Sequence, residues 1–119
     1  VNWTKIDNLY REIIEYFRKH NIKFAAHLSH IYSSGASIYF IFYIKSRNEK
    51  EAVRLFYKTW REVLGITLSN GSSISHHHGV GLIKKELLKK ELGNGYNILE
   101  GIKHLIDPNK ILNAGKIID

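Results

Sequence analysis

Cysteine and methionine are both absent from this chain of 119 residues, and proline occurs only once. Without cysteine the fold has no disulfide and no thiolate metal ligand, and the sequence does not indicate the redox compartment. The longest apolar run, Ile38–Ile44, is strand-sized and far shorter than the roughly 20 residues of a membrane-spanning helix. Because the chain begins with valine, we expect Val1 to be a processed end or a cut within a longer chain, so a missing targeting signal carries no weight.

Acidic residues are few: the chain has 11 aspartates and glutamates against 18 lysines and arginines, which gives a net charge of +7. Such a balance favours anionic partners. The basic residues are dispersed, however, and only Lys84-Lys85 and Lys89-Lys90 form pairs, which glutamates interrupt. This pattern favours a solvated helix face over a nucleic-acid patch. A small basic nucleic-acid-binding module remains an alternative from another functional class, although the aromatic residues lie at core spacing.

Amphipathic helices flank a strand-rich centre. The first helix is predicted over Thr4–His20, with Thr4 and Asp7 as a capping pair and Asn21 as the stop. A second helix begins at Asn48, with Glu51 placed for a capping box, and continues to residue 68. Its predicted buried stripe consists of Val53, Phe56, Trp60, Val63 and Leu64.

Two strands are predicted, over Lys23–Tyr32 and Ser37–Lys45, with a turn at residues 33–35 between them. The even positions of the second strand are apolar, whereas the odd positions are mixed and should face something polar or a ligand. Matching the two apolar faces of an antiparallel pair places Leu28 opposite Phe40 and Ser29 opposite Tyr39, with His27 nearby.

The C-terminal part is predicted to be helical, with a short helix over Lys84–Leu92 that Gly93 stops, and a last helix that Asp107-Pro108 closes before one more turn. The apolar face of the last helix comprises Ile98, Leu99, Ile102, Leu105 and Ile106. The predicted class is therefore α+β, with a partial ferredoxin-like cap (helix-strand-strand-helix) followed by C-terminal helices. Two strands alone form a marginal sheet, which indicates a fragment of a larger protein.

Three adjacent histidines, His76, His77 and His78, are the most distinctive local feature, and glycines flank them. Histidine moves protons near neutral pH, and glycine lets a backbone approach a flat ligand. A metal site is disfavoured and none is predicted, because consecutive side chains diverge and no carboxylate or cysteine stands at ligand spacing. An active-site loop is favoured, and a solvated polar loop remains open.

Other candidates are weaker. Tyr39 lies on the less apolar face of its strand, although a tyrosine there more often serves packing. His27 and His30 are expected on opposite faces of the first strand, which argues against a shared metal. Arg47, Arg54 and Arg61 are interpreted as surface charges.

Three segments resemble a known family. The run GSSISHHHGVG at residues 71–81 closely resembles the histidine-triplet loop of the alkyldihydroxyacetonephosphate synthases (alkylglycerone-phosphate synthases), which are FAD-linked oxidases of the vanillyl-alcohol oxidase type. The run YSSGASIYF at residues 32–40 resembles the preceding strand hairpin, and IDPNKILNAGK at residues 106–116 resembles the closing segment of FAD-linked oxidases generally. The resemblance covers roughly residues 20 to 119.

This resemblance implies an FAD enzyme that exchanges the acyl group of acyl-dihydroxyacetone phosphate for a fatty alcohol, with FAD as a covalent electrophile through N5. It implies proton transfer by Tyr39 and by the triplet His76–His78, with His77 as the preferred base, and cofactor contacts from His78, Gly79 and Asn113. Residues 1–70 would then belong to the substrate cap, and residues 71–119 would supply the active-site loop and complete the FAD site. An upstream FAD-binding domain is the implied partner, and the fragment alone should be inactive.

Two departures matter. Ala114 stands where the family usually has proline. The 2-hydroxyacid dehydrogenases of the superfamily carry Glu-His-Gly in the loop and a metal motif on the hairpin, whereas His77 replaces that glutamate and residues 34–37 lack the motif. An FAD-dependent dehydrogenase of D-lactate or glycolate type is therefore the runner-up. The substrate is expected to bear a phosphate or to be a hydroxyacid. A homodimer is left open, and the default compartment is the cytoplasm, or the peroxisome for a eukaryotic synthase.

Overall fold

A computed structural model describes residues 1–118 and divides them into two compact units, residues 1–73 and residues 74 onward. The first unit contains α1, β1, β2 and α2, and the second contains α3 and α4. Their bounds are Ile6–Lys19 (α1), Lys23–Ser29 (β1), Ser37–Tyr43 (β2), Glu49–Ser69 (α2), Gly81–Leu92 (α3) and Asn94–Ile106 (α4). The α+β class and the helix-strand-strand-helix order predicted for the first unit are confirmed.

Helix α1 buries one apolar face and ends where the sequence indicates. Its i, i+4, i+8 spacing places Leu9, Ile13 and Phe17 in the core. At its end Asn21 adopts a positive φ of 53°, and the Ile22 amide donates to the Phe17 carbonyl at 2.8 Å, as in a Schellman closure. The predicted capping pair at its start is wrong, because the Thr4 hydroxyl donates to the Asn2 side chain and the helix has no side-chain cap.

The two antiparallel strands pair two residues out of the predicted register. Leu28 lies opposite Ile38 rather than Phe40, and His27 rather than Ser29 lies opposite Tyr39. The faces were assigned correctly, because a slip of two residues keeps every side chain on its face. The loop geometry sets the offset. β1 ends at Ser29, three residues earlier than predicted, and residues 32 and 35 close the turn through reciprocal backbone hydrogen bonds.

The core of the first unit is an aromatic cluster between α1 and the inner face of the sheet. The Phe17 side chain is fully buried, and its ring lies 5.1 Å from Phe24, 5.8 Å from Phe40 and 5.7 Å from Phe42, centroid to centroid. The even positions of β2 therefore face the helices, as predicted. The odd positions, with Tyr39 among them, lie on the outer face.

Helix α2 begins with the predicted cap. The Asn48 side chain accepts from the Glu51 amide at 2.9 Å, and Glu51 Oε2 accepts from the Arg47 amide at 3.2 Å. The predicted buried stripe is confirmed only in its second half, where Val63 packs against the core and Trp60 and Leu64 are half-buried. In the first half Val53 and Phe56 are 48% and 37% exposed, and the fully buried residue of this helix is Thr59. A helix of 21 residues is longer than a sheet of two strands is wide, so only part of the apolar face of α2 packs against the sheet and α1.

The second unit has a small core of its own. Leu88, Tyr96 and Ile118 are buried together, and Gly93, with a φ of 52°, ends α3 immediately before α4. Helix α3 starts at Gly81, three residues earlier than predicted. The predicted apolar face of α4 is not buried in the described residues, since Ile98 and Leu105 are 68% and 82% exposed. Periodicity identified this face, but a unit of two helices has too little mass to cover it.

Candidate functional site

The histidine loop lies immediately before α3, and hydrogen bonds close it at both ends. The Ser75 hydroxyl donates to the Gly79 carbonyl at 2.7 Å, across the three histidines. Gly79 and Gly81 have positive φ values of 72° and 55°. Residues that carry a Cβ rarely adopt this backbone conformation. His76, His77 and His78 are all exposed at the tip of this closed loop.

Lys84, in the first turn of α3, contacts both ends of the histidine loop. Its Nζ donates to Ser75 Oγ and to the Gly79 carbonyl, each at 3.1 Å. Burial lowers the pKa of the Lys84 ammonium, and the nearby Glu91 carboxylate opposes that shift. Glu91 also accepts from the Ile74 amide at 3.4 Å. Lys84 is therefore half-buried against the loop, whereas Lys89 and Lys90 are exposed, as a solvated helix face requires.

The three imidazoles lie in contact with one another. His76 Nδ1 and His77 Nδ1 are 2.9 Å apart, and the centroids of the His77 and His78 rings are separated by 4.3 Å. Two ring nitrogens at hydrogen-bonding distance require a hydrogen on one and a lone pair on the other. The distance between His76 Nδ1 and His77 Nδ1 therefore fits a hydrogen bond between neighbouring rings, with the tautomer deciding which ring donates.

Tyr39 stacks on a histidine of the neighbouring strand. His27 lies directly opposite Tyr39 in the register, and the two rings are 5.0 Å apart with an interplanar angle of 8°. The Tyr39 ring is half-buried on the outer face of the sheet, so its phenol is held by packing on one side. The sequence placed His27 near Tyr39, but the predicted register, wrong by two residues, paired Tyr39 with Ser29 instead.

His30 also approaches Tyr39, which contradicts the expectation that His27 and His30 lie on opposite faces. The rings of His30 and Tyr39 are 6.1 Å apart. Strand alternation fails because β1 ends at Ser29 and His30 has a positive φ of 50°, which redirects its side chain. The outer face therefore carries two histidines beside one tyrosine.

The closing segment of the second unit is organised by a buried carboxylate. Asp107 is only 3% exposed, and it accepts from the amides of Ile111 and Leu112, each at 3.0 Å, and from Lys103 Nζ. The hydrogen bond from Lys103, followed by those two amides, lowers the pKa of Asp107 below its usual value, against the effect of burial. The predicted end of the last helix at Asp107-Pro108 is confirmed.

Asn113 lies in this closing segment with a positive φ of 48°. Lys110, Ala114 and Gly115 line a cavity of about 220 Å³ together with Lys103 and Ile118. Lys85 Nζ of α3 donates to the Gly115 carbonyl at 3.4 Å. Adjacent lysines of α3 thus contact the histidine loop and the closing segment of the same unit.

The family model for the C-terminal domain of FAD-linked oxidases matches residues 1–117. The chain belongs to this family. FAD is accordingly the cofactor with which its members are associated, as the sequence resemblance implied. Tyr39 lies in the first unit and the triplet, Gly79 and Asn113 in the second, and each is described within its own unit.

Several curated proteins of this FAD-linked oxidase family are similar to the chain. The alkyldihydroxyacetonephosphate synthase of Dictyostelium discoideum is 30% identical to this chain. The aligned part is 99% of this chain and 20% of the synthase. The uncharacterized FAD-linked oxidoreductase YgcU of Escherichia coli K12 is 29% identical over 97% of the chain and 26% of its own length. A D-lactate dehydrogenase of Anaerostipes hadrus is 48% identical, but over only 40% of the chain and 10% of its own length. The chain thus spans about a fifth to a quarter of the first two relatives.

The loop backbone at Gly79 adjoins open space. A Cβ placed on this glycine would have no heavy atom within 4 Å, so open space adjoins the loop backbone beside His78. None of the helices in residues 1–118 combines the length and apolar character that a membrane crossing requires.

Sequence reasoning missed the contacts of Lys84 and Asp107, and it placed His27 near Tyr39 without pairing the two residues. For Lys84 a usable signal exists. Side chains on a helix lean toward its N-terminus, so a long lysine three residues after Gly81 reaches back over the preceding loop. For His27 no local signal exists, because its contact depends on register. Asp107 precedes a proline, and that position predicted the end of the helix but not the burial of the Asp107 carboxylate beside Lys103.

Proposed function

We propose that this FAD-linked oxidase domain contributes the proton-transfer residues of an enzyme resembling alkyldihydroxyacetonephosphate synthase. The reaction is the exchange of an acyl group for an alkyl group on a dihydroxyacetone phosphate ester. The observation that carries the proposal is the closed loop in which His76 Nδ1 and His77 Nδ1 lie at a hydrogen-bonding distance of 2.9 Å. Two synthases that match essentially the whole chain at about 30% identity support the choice of reaction.

In this proposal His77 is the base. It contacts both of its neighbours, since its Nδ1 lies against His76 and its ring lies 4.3 Å from that of His78. A proton taken from the substrate carbon by His77 can therefore be passed to an adjacent imidazole without movement of the loop. The exposure of all three rings leaves them accessible to a substrate.

Tyr39 is proposed as the second proton-transfer group. Its stacking on His27 restrains the ring at 5.0 Å and leaves the phenolic oxygen as the polar end of an otherwise packed side chain. A hydroxyl so held can donate a hydrogen bond to a substrate oxygen or accept one from it. Tyr39 would thereby orient the substrate as well as exchange a proton with it.

FAD, when bound, supplies the electrophile in the proposed reaction. His78, Gly79 and Asn113 are the residues of this chain proposed to contact it, and the greater part of the binding site is proposed to come from an upstream FAD-binding domain. The phosphate-bearing substrate and that domain are the partners proposed for the chain.

A second candidate function is an FAD-dependent 2-hydroxyacid dehydrogenase. The similarity of 40% of the chain to a D-lactate dehydrogenase at 48% identity favours it. The two functions predict different behaviour of the bound flavin. Bleaching of the flavin by D-lactate or glycolate, without any fatty alcohol, would support the dehydrogenase and contradict the synthase.

Replacement of the proposed base tests the main proposal. In the FAD-loaded protein, His77→Ala should lower alkyl exchange by about 10²-fold or more, the contribution typical of general acid–base catalysis, while flavin absorbance is retained. Tyr39→Phe should lower it without loss of flavin. His20→Ala, which alters an exposed histidine at the end of α1, is the matched control and should leave turnover unchanged. Full activity in His77→Ala would refute its role as the base.

A further inference from the structure

Lys84 donates hydrogen bonds to both ends of the histidine loop in the second unit. We propose that Lys84 is a positioning residue, whose ammonium clamps Ser75 to Gly79 and thereby holds the three imidazoles in a single arrangement. This inference rests on the proposed function for its catalytic consequence, but the clamp itself can be tested without turnover.

The clamp is a closed triangle of hydrogen bonds. Ser75 Oγ donates to the Gly79 carbonyl at 2.7 Å and accepts from Lys84 Nζ at 3.1 Å, and the same Nζ donates to the Gly79 carbonyl at 3.1 Å. The three residues enclosed between Ser75 and Gly79 are the histidines. Because both ends of a five-residue loop are bound to one side chain, the histidines between them have little freedom to rearrange.

The position of Lys84 on α3 explains why a lysine makes these contacts. A side chain three residues into the helix leans back toward the helix start and reaches the preceding loop. The ammonium has three donors, so it can serve a hydroxyl and a carbonyl at once. Glu91, on the same helix, opposes the lowering of the Lys84 pKa by burial and also accepts from the Ile74 amide at 3.4 Å. The clamp therefore has a second support at the residue before Ser75.

The other lysines of α3 provide a comparison within the same helix. Lys89 lies over the Tyr96 ring at 5.4 Å, and Lys90 is exposed. Neither has a hydrogen bond to the histidine loop among the contacts described for this unit. Lys90→Met therefore makes the same chemical change on the same helix without touching the clamp.

The test compares Lys84→Met, Lys84→Arg, Ser75→Ala and Lys90→Met in the FAD-loaded protein. Amide hydrogen exchange on the millisecond timescale is measured for residues 75–80, together with kcat and KM for alkyl exchange. Because Lys84→Met removes both hydrogen bonds from the ammonium to the loop, amide exchange in the loop should be faster by about tenfold or more. kcat should fall by at least about tenfold with KM nearly unchanged, because the base is misplaced while substrate binding is retained. Ser75→Ala should behave similarly, Lys84→Arg should recover part of kcat, and Lys90→Met should match the unaltered protein.

Two outcomes separate the clamp from the proposed function. If loop exchange in both Lys84→Met and Ser75→Ala equals that of Lys90→Met, the clamp is refuted whatever the enzyme does. If loop exchange rises but neither Lys84→Met nor His77→Ala changes turnover, the clamp stands as a structural element and its catalytic consequence fails together with the proposed base. Unchanged exchange at Leu88 and Tyr96 would confirm that the small core of the second unit is intact in each variant.

Discussion

The ring of Phe17 forms the centre of the aromatic core that packs against the inner face of β2, the strand that carries Tyr39. Its side chain is 0% exposed and lies within 6 Å of the rings of Phe24, Phe40 and Phe42. Transfer of a fully buried side chain of this size contributes about 1.5–3 kcal/mol. Because the surrounding rings cannot collapse fully into the vacated space, we expect Phe17→Ala to cost about 3–5 kcal/mol of unfolding free energy. That loss is a large fraction of a typical domain stability of roughly 5–15 kcal/mol.

Urea denaturation followed by tryptophan fluorescence measures this loss, since Trp60 lies 6.3 Å from Phe42 and reports on the same cluster. Phe56→Ala is the matched control, because Phe56 makes aromatic contacts but is 37% exposed. It should cost clearly less than Phe17→Ala. If the two variants lose the same unfolding free energy, or if Phe17→Ala loses less than about 1 kcal/mol, burial in this core does not determine stability and the reasoning fails.

Two further predictions concern the ends of helices. Asn48→Ala removes the side chain that caps α2 at 2.9 Å from the Glu51 amide, and it should cost about 1 kcal/mol, measured as a lower urea midpoint, whereas alanine at the exposed Asn94 should have a smaller effect. The pKa of Asp107 is lowered in the folded state, so its stabilising contribution is complete above its ordinary value of 3.8 and is lost as the pH falls through the lowered value. In Asp107→Asn the free energy of unfolding should therefore fall less steeply between pH 5 and about pH 2 than in the unaltered protein. An unchanged slope would contradict the lowered pKa of Asp107.

Much of the local structure was predictable because its causes lie within a few residues of one another. The Asn48 cap, the stop at Asn21, and the glycine that ends α3 all depend on short-range hydrogen bonds or on backbone conformation. The resemblance of the triplet loop to FAD-linked oxidases likewise rests on contiguous residues, and the family match confirms it. The roles of Tyr39 and the triplet remain predictions.

The errors have a common physical origin in long-range geometry. An alternating pattern assigns faces but allows a slip of two residues, so the partner of Tyr39 was predicted as Ser29 instead of His27. Apolar periodicity identified the faces of α2 and α4, but it could not tell how much of each face the remaining elements cover, and Phe56 and Leu105 proved exposed.

The sequence alone therefore determined the class of the fold, the order and most ends of its elements, the histidine loop and the relation to FAD-linked oxidases. The tertiary structure decided which groups support that loop and the tyrosine. His27 meets Tyr39 only because the hairpin loop sets the register, and Lys84 meets Ser75 and Gly79 only because α3 starts at Gly81 and directs its side chain backward. Contacts of this kind depend on where whole elements begin and pair, which no single segment of sequence specifies.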